Sequence, residues 1–345
     1  MTVELTELQD SARRVMVGAG LTATEDAIWA QIIELGWLLV SVPEELGGLA
    51  AGIEGSSIMH AELGRGLSAA PYLPAMLAVD AVCQASLSER DSWLERLVGG
   101  EFVTVSLADS GIRVNGNRLD GVATGVQSAD TASHILVWTT DQDAVALVSL
   151  DQSGVEVFSR STWDQTRRLF DVRLNNIELS NQTVLAKGAE AEILIRRLLA
   201  QRDFALAADA IGGASALLDR TVDHLQTRVQ FKRPLAMFQA LKHRCADMKA
   251  SIAAADAMLS DALRRAGDNL NSQDARLKAM GAKLLATSTF ARVAEDCLQL
   301  HGGIGMADEH PCHLFLKRSL LSEQLTGAAN VYAAELASAL IAGTK

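Results

Sequence analysis

Arg228-Val-Gln-Phe231-Lys-Arg-Pro-Leu-Ala-Met-Phe238-Gln239-Ala-Leu-Lys-His243-Arg-Cys-Ala246-Asp247-Met248 is the stretch on which the reading of this 345-residue chain turns. It joins two alanine- and leucine-rich segments whose apolar residues recur at helical spacing, Ile193 to Thr227 and Gln239 to Ala266. Two more such segments follow, Asp274 to Leu300 and Leu314 to Ala342. Four helices of about 25 residues predict an antiparallel bundle with flat faces suited to self-association. Between the third and fourth lies a second distinctive run, Gln299-Leu-His301-Gly302-Gly303-Ile-Gly305-Met-Ala-Asp-Glu309-His-Pro311.

Working outward, the segment from Thr6 to about Leu97 is again helical, with Leu8, Ala12, Val15 and Met16 and then Trp29, Ile32, Ile33, Gly36 and Trp37 at three and four spacing. Pro43 with Gly47-Gly48, and later Pro71 with Pro74, mark loops. From Phe102 to about Leu185 the period falls to two, through Val103, Val105 and Leu107, Ile135 to Trp138, Ala144 to Val148, Val155 and Val157, and Val172 to Leu179. Asn115-Gly116-Asn117 and Asp120-Gly121 read as turns between these strands. The expected organisation is α+β: a helical domain at 1–98, a small β domain at 99–187 and a helical bundle at 188–345.

Composition sets the limits on partners. About half of the residues are apolar, enough for two or three packed cores, and the formal charge of −11 comes without a basic block. Nucleic acid and anionic membranes are thereby excluded as main partners. Cys83, Cys245, Cys297 and Cys312 are widely spread, and the N-terminus is acidic where a secretory signal is basic and then apolar. A cytoplasmic chain with reduced thiols is expected. No apolar run approaches the roughly 20 residues a bilayer demands.

Together the two quoted runs, with Leu35-Gly36-Trp37 and Val42-Pro43-Glu44-Glu45-Leu46-Gly47-Gly48 near the N-terminus, resemble three signatures of the acyl-CoA dehydrogenase family in the right order. The resemblance covers nearly the whole chain and implies FAD as cofactor, an acyl-CoA substrate and an acceptor such as electron-transfer flavoprotein. It also implies that Arg228, Phe231, Gln299, Gly302 and Gly303 hold the adenosine-pyrophosphate half of an FAD belonging to a neighbouring subunit. A forked guanidinium and accessible backbone amides are the right chemistry for a pyrophosphate. Taken singly, Arg228 reads as a solvated helix end and Gly302-Gly303 as a helix cap. His243 and Asp247, four apart on one helix face, read as packing and ion-pairing residues. The run Asp308-Glu309-His310-Pro311-Cys312-His313 fits no common metal-ligand spacing, so no metal is expected.

Against that family the chain shows two gaps. Acyl-CoA dehydrogenation removes an α-proton with a carboxylate, which the family carries either in a Y-E-G-T stretch or on the helix before the arginine motif. The matching positions here hold Thr326 and Arg202, so no catalytic base is expected in this chain. Asp203, rotated about 100° along a helix from Arg202 and so expected to face elsewhere, and Glu323, about one turn from Thr326, are the nearest carboxylates. The second gap concerns the segments that line the flavin ring in the family, represented here only by Leu107-Ala108-Asp109-Ser110-Gly111-Ile112 and Ala123-Thr124-Gly125-Val126-Gln127-Ser128-Ala129-Asp130. The resemblance is thus to the base-lacking member of heteromeric α2β2 acyl-CoA dehydrogenases, some of which degrade steroid side chains or dicarboxylic and other unusual acyl-CoAs. A self-sufficient homotetramer with a relocated carboxylate, and a non-catalytic flavin- or acyl-CoA-binding scaffold, are the competing readings.

Overall fold

A computed structural model describes residues 5–343 apart from 22, 109, 110, 181, 182 and 268. Helices α1 (Leu5–Ala19), α2 (Glu25–Glu34), α3 (Gly52–Arg65), α4 (Tyr72–Gln84) and α5 (Arg90–Val98) come first. Thr24 opens α2 by accepting the Ala27 amide, the cap expected of a threonine placed just before an acidic first turn. Buried Glu62 on α3 takes both Arg13 and Gln9 of α1, tying these helices through a charged contact as well as the Leu8, Ala12 and Met16 stripe.

Two four-stranded sheets follow. One has the order β1 (Val103–Val105), β4 (His134–Trp138), β5 (Ala144–Ser149), β8 (Val184–Lys187). The other has the order β2 (Arg113–Asn115), β3 (Arg118–Gln127), β7 (Leu169–Glu178), β6 (Val155–Arg160). β1 runs parallel to β4 and the other pairings are antiparallel. Apolar residues from both sheets, among them Val126, Ile135, Val148 and Val172, close a common core. Asn115-Gly116-Asn117 makes the β2–β3 turn as expected, but Asp120-Gly121 does not make a turn. Gly121 sits inside β3 at a register shift with φ +140°, and a Cβ there would lie 2.3 Å from the Gly111 carbonyl. The glycine is needed for a bulge and a close backbone approach.

The third part contains α6 (Ala189–Thr227), a hairpin of β9 (Val229–Gln230) and β10 (Arg233–Pro234), α7 (Gln239–Ala266), α8 (Gln273–His301), α9 (Cys312–Gln324) and α10 (Ala329–Gly343). The helix expected from Leu314 to Ala342 is therefore two helices, bent by 41°. Gly327 takes φ +115° in the break, and the Lys283 ammonium of α8 donates to the carbonyls of Glu323 at 3.2 Å and Gly327 at 3.4 Å. Carbonyls released at a helix end are thereby satisfied by a cation. Among the described residues no single helix is long and apolar enough to cross a membrane, although the bent α9–α10 pair reaches that composition jointly.

α6 ties the parts together. A Cβ on Gly212 would meet the Ala61 carbonyl at 1.9 Å, so α3 and α6 cross with their backbones almost touching. Arg318 of α9, 1% exposed, donates to Asp164 in the β6–β7 connection and to the Ser68 carbonyl, while Arg167 of that connection pairs with Asp209 of α6.

Candidate functional site

Both positions at which a carboxylate base was sought fall at one buried node. Arg202, 2% exposed on α6, donates from Nε to Asp203 Oδ1 at 3.0 Å, from Nη1 to the Leu107 carbonyl at 2.9 Å and from Nη2 to the Tyr332 hydroxyl at 3.1 Å. Tyr332 Oη, from α10, lies 2.8 Å from Thr326 Oγ1 and reaches the Asp203 carboxylate at 3.0 and 3.1 Å. Arg276 of α8 pairs with Oδ2 of that carboxylate. Asp203 does not face elsewhere: its rotation carries it toward α8, and Tyr332 stands between it and Thr326.

These contacts determine what the node can do. Burial pushes the Asp203 carboxyl up, but Arg202 and Arg276 outweigh it and hold it below the usual carboxylate range. Both its oxygens already accept hydrogen bonds, so it is a poor proton acceptor. Burial pushes the Tyr332 hydroxyl up and the Lys283 ammonium down to about 8. Lys283 also lies 4.3 Å from the centre of the Tyr332 ring. Glu323 contributes its backbone carbonyl, bonded to Lys283. Three cationic side chains thus surround a single paired carboxylate, a composition suited to locking helices together and unsuited to abstracting a proton.

The two segments expected to line a flavin ring meet the same node. The Leu107 carbonyl accepts from Arg202, and the space beside Gly125 and Ala108 is filled by Leu325, whose Cδ1 would lie 3.5 Å from a Cβ on Gly125. Leu107 and Leu325 belong to one apolar cluster. Asp109 and Ser110 lie outside the described residues. Arg202 and Leu325 thus pack against the two segments that the resemblance assigns to the flavin ring, leaving little open space beside them.

At the far end of α6 the residues lie open. Arg228 ends that helix, and Phe231, 82% exposed, stands at the tip of the β9–β10 hairpin. Phe231 and Lys232 have φ +52° and +63°, the paired left-handed conformation of a two-residue hairpin that asparagine and glycine normally adopt. Gln299 lies exposed in the last turn of α8, and Gly302 and Gly303 follow it, with no atom within 4 Å of a Cβ built on either. His224, one turn before Arg228, stacks on His301 at 4.5 Å between ring centroids, bringing the Arg228 and Gly302-Gly303 segments to one end of the bundle. An exposed forked donor beside bare backbone fits the adenosine-pyrophosphate half of FAD.

His243 and Asp247 are exposed on α7 and only Met248 of that run is buried, so the expected packing and ion pairing are not found among the described residues. Among the same residues no group of three or more His, Cys, Asp or Glu side chains is placed to hold a metal ion. Sequence reasoning missed Tyr332, Arg276, Lys283 and Leu325. The one available signal was Tyr332, one of two tyrosines in the chain, set in an alanine-rich helix.

Comparison with known proteins agrees with this architecture. The family models described as acyl-CoA dehydrogenase, N-terminal domain and acyl-CoA dehydrogenase, C-terminal domain match residues 5–101 and 192–341. Acyl-CoA dehydrogenase IpdE2 of Mycobacterium tuberculosis is 32% identical over 303 residues, covering 87% of this chain and 82% of its own. IpdE2 of Mycolicibacterium smegmatis is 30% identical over 87% of this chain and 83% of its own. Among solved structures, a variant of the Tcur3481-Tcur3483 steroid ACAD superposes with a TM-score of 0.87 at 27% identity, covering 99% of this chain and 98% of that one. The ChsE4-ChsE5 complex from Mycobacterium tuberculosis shares the fold with a TM-score of 0.87 at 24% identity, over 99% of this chain and 98% of that one.

Proposed function

This chain belongs to the FAD-dependent acyl-CoA dehydrogenase family, and we propose that within it the chain is the base-lacking subunit of an α2β2 enzyme. In this reading a homologous partner carries the carboxylate and the flavin-ring site, and this chain completes that site across the interface. The observation that carries the proposal is the node: Thr326 and Arg202 are bonded through Tyr332 and Asp203, and Leu325 and Arg202 pack against the segments that the resemblance assigns to the flavin ring. With one half of a cofactor site sealed and the other open, the open half is read as serving another chain.

When bound, FAD would accept the hydride leaving the acyl β-carbon. This chain's contribution is to hold and orient. Arg228 would pair with pyrophosphate oxygens, Gly302-Gly303 would bring backbone amides near them, and Gln299 and Phe231 would flank the adenosine side. The sealed node would keep water and acyl-CoA out of this subunit's own core, so turnover would occur only at the partner's pocket. The division into units 1–98, 99–187 and 188–345 follows the same reading. The steroid label of the Tcur3481-Tcur3483 relative supports a bulky acyl-CoA as substrate, with electron-transfer flavoprotein or a similar acceptor removing the electrons in the cytoplasm.

The test is the visible absorbance spectrum of this chain purified alone after FAD reconstitution, before and after acyl-CoA, and then of its complex with a glutamate-bearing homologue. A colourless, inert chain that yields a flavin band bleached by acyl-CoA only in the complex is the expected result. A stoichiometric flavin band that bleaches in the chain alone would instead establish the self-sufficient homotetramer and direct attention to Asp203 and Glu323. Tight acyl-CoA binding without turnover in every pairing would favour the scaffold.

A further inference from the structure

We infer that His224, His301 and His310 form, with Arg228, a proton-dependent site for a diphosphate group; this rests on the cradle reading above and adds a chemical property to it. His224 lies in the last turn of α6, His301 closes α8, and His310 precedes α9. The His301 ring lies 4.5 Å from that of His224, at 29° and stacked, and 4.6 Å from that of His310. His301 is 6% exposed. Its Nδ1 is 2.8 Å from the Cys297 carbonyl, which can only accept, so Nδ1 carries the proton. Nε2 is then a buried atom with no hydrogen-bond partner. His310 accepts the Cys312 amide at Nδ1, which leaves its own N–H on Nε2.

The surroundings make this cluster receptive to an anion. The charged neighbours that most influence His224 are His301, His310 and Arg228, and for His310 they are His301, Arg220 and His313; the carboxylates nearest in sequence, Asp223, Asp308 and Glu309, are not among them. Burial first, and then these basic neighbours, hold both imidazoles below their ordinary value. In the free chain the charged forms of His224 and His310 are therefore disfavoured. A diphosphate placed between Arg228 and the open backbone of Gly302-Gly303 supplies the missing negative charge, stabilises the imidazolium forms and draws in protons. Binding accordingly tightens as pH falls.

The probe is ADP-ribose, whose diesterified diphosphate keeps a constant charge between pH 6 and pH 8, so that any pH dependence arises in the protein. Calorimetric titration of the full chain in buffers of different ionisation enthalpy gives affinity and proton uptake together. We expect uptake of about one proton and affinity up to about tenfold tighter per pH unit between pH 7 and pH 6. In the His224→Gln, His310→Gln double variant, checked for an unchanged melting profile, the uptake and the pH dependence disappear. If binding depends on Arg228 but is independent of pH, the histidine site is overturned and the cradle stands. Equal uptake in the double variant overturns the assignment to these residues, and absence of binding at either pH overturns both the site and the cradle.

Discussion

One helix, α6, carries two regions of opposite character. Near its first third, Arg202 and Asp203 are sealed into a network that draws on α8, α10 and the β part of the molecule. At its last turn, His224 and Arg228 lead into a surface where Phe231, Gln299, Gly302 and Gly303 lie exposed. The sealed region has satisfied its charges internally, whereas the open region retains donors, bare backbone and an aromatic side chain with little of its own chain to contact. On the proposed reading, this contrast is the division of labour of a subunit that lends residues to a neighbour.

The largest effect that could break this contrast lies at the node. Asp203→Asn removes the carboxylate that pairs with both Arg202 and Arg276, and leaving buried charge uncompensated costs about 3–5 kcal/mol. Urea unfolding should show a loss of that size. A loss below about 1 kcal/mol would mean that the carboxylate is spare, reopening its use as a base. At the open face, Arg228→Ala should leave the unfolding curve of the isolated chain unchanged and cost the assembled enzyme about 2–5 kcal/mol of FAD binding. Fluorescence titration of the apo complex reads the second quantity, and undiminished affinity would remove the cradle from the argument.

Lys283 sharpens the contrast through pH. Burial lowers its ammonium to about 8, with the nearby Asp203 charge only partly opposing this. Below pH 8 both folded and unfolded chains hold the proton, and stability is flat with respect to this group. Between pH 8 and its ordinary value near 10.4, the unfolded chain binds more protons, so stability rises with pH, by on the order of 1–3 kcal/mol. Urea midpoints at pH 7.5 and 9.5, compared between the wild type and Lys283→Met, isolate this slope from that of the cysteines, whose thiols titrate in the same range in the unfolded chain. Equal slopes in the two proteins would show that Lys283 is solvated and the node less sealed than its geometry implies.

The open face was largely legible in the sequence and the node was not, for a physical reason. Arg228 to Met248 and Gln299 to Pro311 are continuous runs whose chemistry sits on neighbouring residues, so the pattern survives in one dimension. The node is assembled from four distant segments. Thr326 and Arg202 were found as misfits at single positions, but nothing local to either discloses Tyr332 as the hydroxyl between them. The same limit explains the misread helix after Leu314, since its break is stabilised by Lys283 from another helix. It also explains Asp120-Gly121, where glycine serves the approach of the Gly111 backbone and not a turn.

The smallest expected effect is the most discriminating. Phe231 and Lys232 hold left-handed backbone conformations that cost an ordinary residue about 1–2 kcal/mol each, and asparagine less. Phe231 recovers little of that cost within its own chain, where its described ring contact is an edge-on approach to Phe238 at 6.1 Å. Phe231→Asn should therefore stabilise the isolated chain slightly, by about 1 kcal/mol or less, while weakening the assembled enzyme by roughly the 1.5–3 kcal/mol of a buried phenylalanine. Opposite signs in the melting temperature of the lone chain and the dissociation constant of the complex would mark a side chain kept for a neighbour at the expense of its own fold. A loss in both measurements would place Phe231 in this chain's own packing and erase the difference between the two ends of α6.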